Sequence, residues 1–299
     1  MRQVVFATNP VGVRHLGLLH RRCREAAGAH GWEPRFIVTE AAEASSQFHD
    51  DLSGYAAGAG DKLVFAVGGD GTVRACAHDL AGTGVALAIV PRGTANLFAK
   101  ALGIPVELGQ ALQAGFGGGE RLVDLAMADG SPFVAMAGIG IDAAVVHGTP
   151  RLLKEQLGWL GYAVSALPHL AGPHFGVEIR LDGAEPLVRQ ARAVVVGNVG
   201  TLPGGFTLLP GARVDDGLLD VGVLAPTGLA GWAVVARRAV VGKPSSKGGQ
   251  FEHFRASEVE VSASSELWRQ IDGDLMGRGR ALSVRVRHQA LLVRVPAVE

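Results

Sequence analysis

Four short apolar runs constrain the fold most: Val4–Ala7, Phe36–Val38, Leu63–Val67 and Val85–Val90. Each is nearly continuous and stops at Gly, Pro, Asn or Thr, as strands buried on both faces do. Helical patterns near residues 12–30, 44–58, 72–81 and 94–102 lie around and between them. Strands and helices repeating at this spacing imply right-handed crossovers and a parallel sheet. The helix over 94–102 has a candidate cap in Thr94, a stop in Gly103, and Pro105 beyond it.

The period changes after Asp124. Val177, Ile179 and Leu181 alternate with Glu178 and Arg180; Val259 and Val261 alternate with Glu258, Glu260 and Ser262. Leu282, Val284 and Val286 alternate with Ser283, Arg285 and Arg287. Period two marks half-buried antiparallel strands, so residues 1–125 should form an α/β domain and 126–299 a mostly β domain. One helix is expected in the second half, over 151–171, where Leu153, Leu157, Leu160, Val164 and Leu167 make one apolar stripe. It reads as a helix packed on the β domain or, alternatively, as one touching a membrane interface or lining an acyl-chain groove.

Composition removes several function classes. Lys+Arg 28 balance Asp+Glu 28, and a nucleic-acid binder normally carries a basic excess. Two cysteines, Cys23 and Cys76, allow no disulfide framework and no cysteine-rich zinc site. The first residues lack the apolar core of a signal peptide, and no run reaches a membrane span's length, so a soluble cytoplasmic protein is the expectation. The ten histidines show no HExxH spacing, and no GxSxG elbow is present.

The strongest local signal is Gly68-Gly69-Asp70-Gly71-Thr72, between a strand and a helix. Glycines let the backbone approach a bulky anion, and the following helix points free N–H groups and its dipole at it. Asp70 would repel phosphate unless a divalent cation intervenes or the acid handles a proton, which points to Mg-nucleotide chemistry. The alternative is a tight turn with Asp as a helix cap. The next strand ends in a similar loop, Pro91-Arg92-Gly93-Thr94-Ala95-Asn96. Thr94 and Asn96 can hydrogen-bond phosphate or ribose there, and Arg92 can offset charge. Neighbouring strand ends share one crevice.

These residues, in this order, resemble the diacylglycerol kinase catalytic domain, and within it the soluble bacterial lipid kinase branch. The second loop runs on through Ala99 to Leu102-Gly103-Ile104-Pro105, as in that family. Asn9-Pro10, Asn198, Gly204-Gly205, Pro210, Ala212, Asp215 through Val221 and Asp272-Gly273-Asp274 also fit its pattern. The resemblance implies an N-terminal domain like that of NAD kinases, a C-terminal antiparallel β-sandwich and an active site in the cleft. It implies that Gly68, Gly69, Asp70, Gly71, Thr72, Val73, Arg74 and Thr94 hold ATP, with Thr39, Asn9 and Asn96 as further contacts. Asp70 and Asp124 would join the acidic network around a catalytic Mg2+. A structural Mg2+ would sit on the Asp216 side chain and the backbone oxygens of Arg213 and Leu218. Asp274 would take the proton of the lipid hydroxyl, with Asp272 beside it. Each acid also has a plainer reading: Asp216-Gly217 as a turn, Asp272-Gly273 as a hairpin, Asp124 as the close of a strand. The chain departs from many relatives at Arg74-Ala75, at Leu97 and in having Asp274 where Glu is common.

The expected activity is ATP-dependent transfer of the γ-phosphoryl group to a lipid hydroxyl, with diacylglycerol as acceptor and phosphatidic acid as product. A kinase of a soluble acceptor such as NAD and a non-catalytic nucleotide- or lipid-binding relative are the alternatives. A lipid acceptor implies transient docking at the inner face of the cell membrane. Arg151, Lys154, Arg237, Arg238, Lys243 and the 151–171 helix are the expected contacts. A homodimer is a candidate assembly.

Overall fold

The computed structural model describes residues 2–11, 15–38, 46–140, 173–202, 205–241 and 249–297. The chain divides into two compact units, Met1–Leu125 with His288–Glu299, and Ala126–Arg287. The change of period in the sequence implies two continuous segments, 1–125 and 126–299. Residues 288–299 instead return to the first unit.

The first unit alternates strand and helix. β1 (Gln3–Thr8), α1 (Leu16–Ala29), β2 (Glu33–Val38), α2 (Ser46–Ala57), β3 (Lys62–Gly68), α3 (Asp70–Leu80) and β4 (Ala86–Pro91) follow in turn. Then come α4 (Leu97–Ala101), α5 (Leu108–Gly117) and the start of β5 (Gly119–Ala128). The strands run parallel in the order β4-β3-β1-β2, with Phe6 beside both Phe36 and Phe65. β1, β3 and β4 are buried almost throughout, as their continuous apolar runs require. β2 is the exception: among the described strands it lies at the sheet edge, and Val38 is exposed. Phe6 stacks on Phe36 at 5.2 Å and on Phe65 at 4.9 Å, and Phe116 of α5 lies 4.8 Å from Phe65.

α5 escaped the sequence reading because Gly109, Gly115 and Gly117 resemble turn residues. Glu107 starts this helix by accepting the Gly109 and Gln110 N–H groups, which hold its carboxyl below the usual range. Gly115 leaves no room for a side chain against the Phe65 ring, so its bareness lets α5 press onto the sheet.

The second unit is antiparallel. Its strands are β6 (Ser131–Phe133), β7 (Met136–Ile139), β8 (Phe175–Leu181), β9 (Leu187–Ala191), β10 (Ala193–Gly197) and β11 (Leu219–Leu224). β12 (Phe251–Ala256), β13 (Glu258–Ile271) and β14 (Asp274–Val295) follow, β14 continuing into the first unit. The order is β12-β11-β10-β7-β13-β14, and β8 pairs with the first half of β13 while β7 pairs with its end. The expected alternation is present: Val177, Ile179, Val259, Val261, Leu282 and Val284 are buried, and Glu178, Arg180, Glu258 and Glu260 are exposed.

A helix in this unit, α6 (Gly228–Val241), is one that the sequence pattern, with its single helix at 151–171, does not anticipate. It has a structural use. On β10, Val194 and Val196 face one apolar cluster while Ala193 and Val195 face another, which includes Val235 of α6. A strand covered on both faces needs a second layer, and α6 supplies part of it. The predicted 151–171 helix lies outside the described residues. The fold class is the expected one: a parallel α/β unit followed by an antiparallel β-sandwich unit.

Candidate functional site

Three neighbouring strand ends form the site in the first unit. β3 ends at Gly68, β4 at Pro91, and β1 just before Asn9, whose N–H bonds the Val67 carbonyl at 3.1 Å. Asn9 turns the chain by accepting the Val11 N–H on its side chain at 2.9 Å. The two glycine loops touch backbone to backbone. The Arg92 N–H donates to the Gly68 carbonyl at 2.8 Å. A Cβ on Gly93 would lie 2.5 Å from the Gly69 Cα, and one on Gly69 would lie 3.0 Å from the Gly93 Cα. Only glycine permits this approach. Gly69 is the N-cap of α3 and offers no side-chain acceptor to that helix. Thr72 and Val73 are buried under the turn, while Thr94 is exposed on the second loop. Arg74 is half-buried on α3.

Asp70 does something the sequence did not show. It is the first residue of α3, yet its carboxylate caps α4: the Leu97 N–H reaches one oxygen at 3.0 Å and the Phe98 N–H the other at 3.1 Å. Thr94, the cap that the sequence pattern offers, therefore does not cap that helix. The N-cap position belongs to Asn96, in a left-handed conformation at φ 49 and without a capping bond. Its amide is spent elsewhere, accepting from the Gly93 N–H at 2.8 Å and donating to the Gly93 carbonyl at 2.7 Å. Asp70 thus completes a helix whose own cap residue holds the loop. Burial pushes the Asp70 carboxyl above its ordinary range, against the pull of the Leu97 and Phe98 amides and of Lys100.

Asp124 on β5 is fully buried. One oxygen accepts the Gln289 N–H at 2.7 Å and meets His288 Nδ1 at 2.8 Å, tying β5 to β14. A groove of about 680 Å³ lies between α1 and α5, lined in part by Leu18, Arg22, Glu107 and Leu112, and it shares Arg92 with the second loop.

The second unit holds the remaining acids. Asp216-Gly217 forms a turn, with Gly217 at φ 73 and the Leu218 N–H donating to Asp216 at 3.2 Å. The other Asp216 oxygen pairs with Arg255. Arg255 also approaches the fully buried Asp220, Nε to oxygen 3.5 Å, and His253 meets Asp220 at 2.6 Å. Arg255 and His253 were missed in the sequence. Their signal lies in register: β12 runs beside β11 and sets Arg255 opposite Asp220. Arg213 pairs with Asp215 at 3.4 Å.

Asp272 and Gly273, both at positive φ, make the two-residue turn that joins β13 to β14. The turn is the hairpin that Asp272-Gly273 suggests, and the Asp272 side chain adds to it. Its carboxylate accepts the N–H groups of Val134, Ala135 and Met136 at 3.0, 2.8 and 3.1 Å. Buried Asn198 donates to the Val134 carbonyl, so two residues of the sequence pattern hold one segment. Asp274 opens β14 and is exposed.

Do these residues fit the magnesium ions the pattern implies? At Asp216 they do not: Arg255 already supplies the positive charge on the carboxylate. Asp70 spends one lone pair per oxygen on amides and retains acceptor capacity. Asp124 is engaged by His288 and Gln289. Thr39, Gly204 and the expected membrane contacts Arg151, Lys154 and Lys243 lie outside the described residues. Arg237 is exposed on α6.

The comparison with known proteins matches this layout. Residues 3–128 match the model of the diacylglycerol kinase catalytic domain, and 135–295 match the YegS C-terminal NAD kinase beta sandwich-like domain. The chain belongs to the diacylglycerol kinase catalytic-domain family. Within that family it is 37% identical over 243 residues to a Pseudomonas aeruginosa protein named "Probable lipid kinase YegS-like", covering 80% of this chain and 78% of the relative. An uncharacterized Synechocystis protein is 33% identical over 225 residues, 74% of this chain but only 52% of the relative. The fold is that of a Bacillus anthracis diacylglycerol kinase structure, TM-score 0.73 at 21% identity, covering 98% of this chain and 96% of that one. An Archaeoglobus fulgidus NAD kinase solved with ATP aligns at TM-score 0.50 and 12% identity over 98% of this chain and 93% of that one, which speaks to fold alone. Membership of a kinase family makes the chain a phosphotransferase homologue and implies ATP use.

Proposed function

We propose that this protein is an ATP- and Mg2+-dependent lipid kinase that moves the γ-phosphoryl group to the hydroxyl of diacylglycerol, giving phosphatidic acid. The observation that carries the reading is the pair of glycine loops locked together at Gly69 and Gly93 over the carboxyl ends of β3 and β4. Phosphoryl transfer asks a protein for alignment, charge neutralisation and removal of one proton. The start of α3 serves the first two, because its amides and dipole favour an anion at that turn. Gly68, Gly69, Gly71, Thr72, Val73, Arg74, Thr94 and Asn9 are the residues proposed around the triphosphate, with Asn96 holding the second loop in shape. Bound Mg2+ would neutralise phosphate charge, with Asp70 as its protein ligand. Asp70 is half-withdrawn from water and its raised proton affinity suits an acid that manages charge. Asp274, exposed at the start of β14, is proposed to accept the proton of the acceptor hydroxyl. Asp272 positions the neighbouring 134–136 segment through its three amide bonds.

A lipid acceptor requires contact with a bilayer, and we place this at the cytoplasmic face. Among the described residues no helix is long and apolar enough to cross a membrane. The test is labelled ATP with Mg2+ and vesicles of phosphatidylcholine containing diacylglycerol, beside a second arm offering NAD. Label in phosphatidic acid is expected. Label in NAD alone, or in neither acceptor, sinks the reading.

A further inference from the structure

The sequence shows no metal spacing among its ten histidines, yet the fold assembles three ligand groups across two helices. His49 lies on α2; His78 and Asp79 lie in the last turn of α3. His49 Nδ1 sits 2.8 Å from one Asp79 oxygen and 3.0 Å from the other, and His78 Nδ1 sits 2.8 Å from the second. The two imidazole rings are 5.1 Å apart and near perpendicular. One nitrogen of each histidine and one carboxylate oxygen all fall within 4.8 Å of one another.

We propose that His49, His78 and Asp79 bind one divalent transition-metal ion of the zinc class, which clamps α2 to α3. Three observations favour it. The Asp79 side chain is only 3% exposed, and among the described residues it has no lysine or arginine partner. A carboxylate buried this deeply is costly to hold without a cation, and its neighbours here are the Nδ1 atoms of two imidazoles, the commonest kind of metal ligand. Asp79 also sits at the carboxyl end of α3, where the helix dipole disfavours a negative group and favours a cation. The ligand set is two nitrogens and one oxygen, which suits zinc and not magnesium, a taker of oxygen ligands. With metal–ligand bonds of about 2.0–2.2 Å, a tetrahedral centre spaces its ligand atoms about 3.4 Å apart. The three ligand atoms, within 4.8 Å of one another, would have to draw in to that spacing on binding. His78 is half-exposed and His49 a third exposed, so the fourth position faces water and the ion has a way in.

The site is independent of the kinase reading, since its ligands lie at the far end of α3 from the glycine turn. The experiment uses the tag-free full chain, stripped with EDTA and dialysed against zinc chloride, with metal content and Tm measured. One zinc per chain and a Tm increase of about 5 °C at saturation are expected. Co2+ should give the visible absorption of a tetrahedral centre. His78→Gln, a surface change that leaves packing intact, and His49→Gln should each lose that equivalent and that shift. Zinc retained at one equivalent in both variants, no binding by the parent chain, or an equal Tm increase with Mg2+ would each overturn the proposal.

Discussion

Replacing Asp70 by Asn separates two physical effects of opposite sign. The side chain keeps its shape but has one acceptor oxygen, so the Leu97 or Phe98 N–H is left facing an amide NH2. A hydrogen bond to a charged acceptor contributes about 1.5–3 kcal/mol, and bond counting alone predicts destabilisation of that size. Against it stands the cost of holding a charge out of water, on the order of several kcal/mol for a buried ion. The direction of the Asp70 shift decides the contest: burial outweighs the amides, so the ionised form is the strained one. A carboxyl raised in the folded state keeps its proton longer than in the unfolded chain. Its contribution to stability is therefore full below the ordinary value of 3.8 and is lost as pH rises through the raised value. Asp70→Asn removes that loss. We expect the variant to be more stable than the parent by about 0.5–2 kcal/mol at pH 7, a gain of the size found when function is traded for stability. The gain should shrink to nothing below pH 3.8. Urea unfolding at a series of pH values measures it, and ATP turnover should disappear in the same variant. A variant less stable at pH 7, with the parent's pH slope, would refute the reasoning and hand the balance to the hydrogen bonds.

Three further outcomes are expected. Gly54 lies inside α2 with open space where a Cβ would go, so Gly54→Ala should stabilise by about 0.5–1 kcal/mol in thermal unfolding. Burial pushes the Cys23 thiol up to about 12 and the Cys76 thiol higher still, so at pH 8 neither should react with Ellman's reagent until guanidinium unfolds the chain. Asp272→Ala strands three N–H groups, and should cost about 3 kcal/mol or more while speeding hydrogen exchange at Val134, Ala135 and Met136.

The parallel unit was legible because its strands lie between helices and must be apolar on both faces, which leaves uninterrupted runs such as Leu63–Val67. The β unit was legible where one face meets water, as along β8 and β13, since period two then survives in the sequence. Both signals fail at the margins of their physics. β2 is an edge strand and keeps its run short. α5 is built around glycines that a close helix–sheet contact demands, which local propensity reads as turns. α6 carries a valine-rich stretch suited equally to a buried strand, and only the second apolar face of β10 explains why it is a helix. The change of unit inside β14 does leave a local trace, which the sequence division passed over: the buried positions shift from Leu282 and Val284 to Leu291 and Val293, across Gln289 at φ 48.

The acids of the site were legible as positions and not as contacts. Their order along the chain marks Asp70, Asp124, Asp216 and Asp272, but each partner lies far away in sequence: Leu97 and Phe98, His288, Arg255, and Val134 through Met136. A sequence pattern reports that a carboxylate is required. It does not report whether the requirement is a cation, an amide or both, since each is satisfied by the same two oxygens. Here amides hold Asp272 and an arginine holds Asp216, so both carboxylates have a use in folding alone. Asp70 is different, because its hydrogen bonds do not offset its burial. A carboxylate that the fold would hold more cheaply as an amide is the one whose presence calls for chemistry, and it is the one set in the glycine turn.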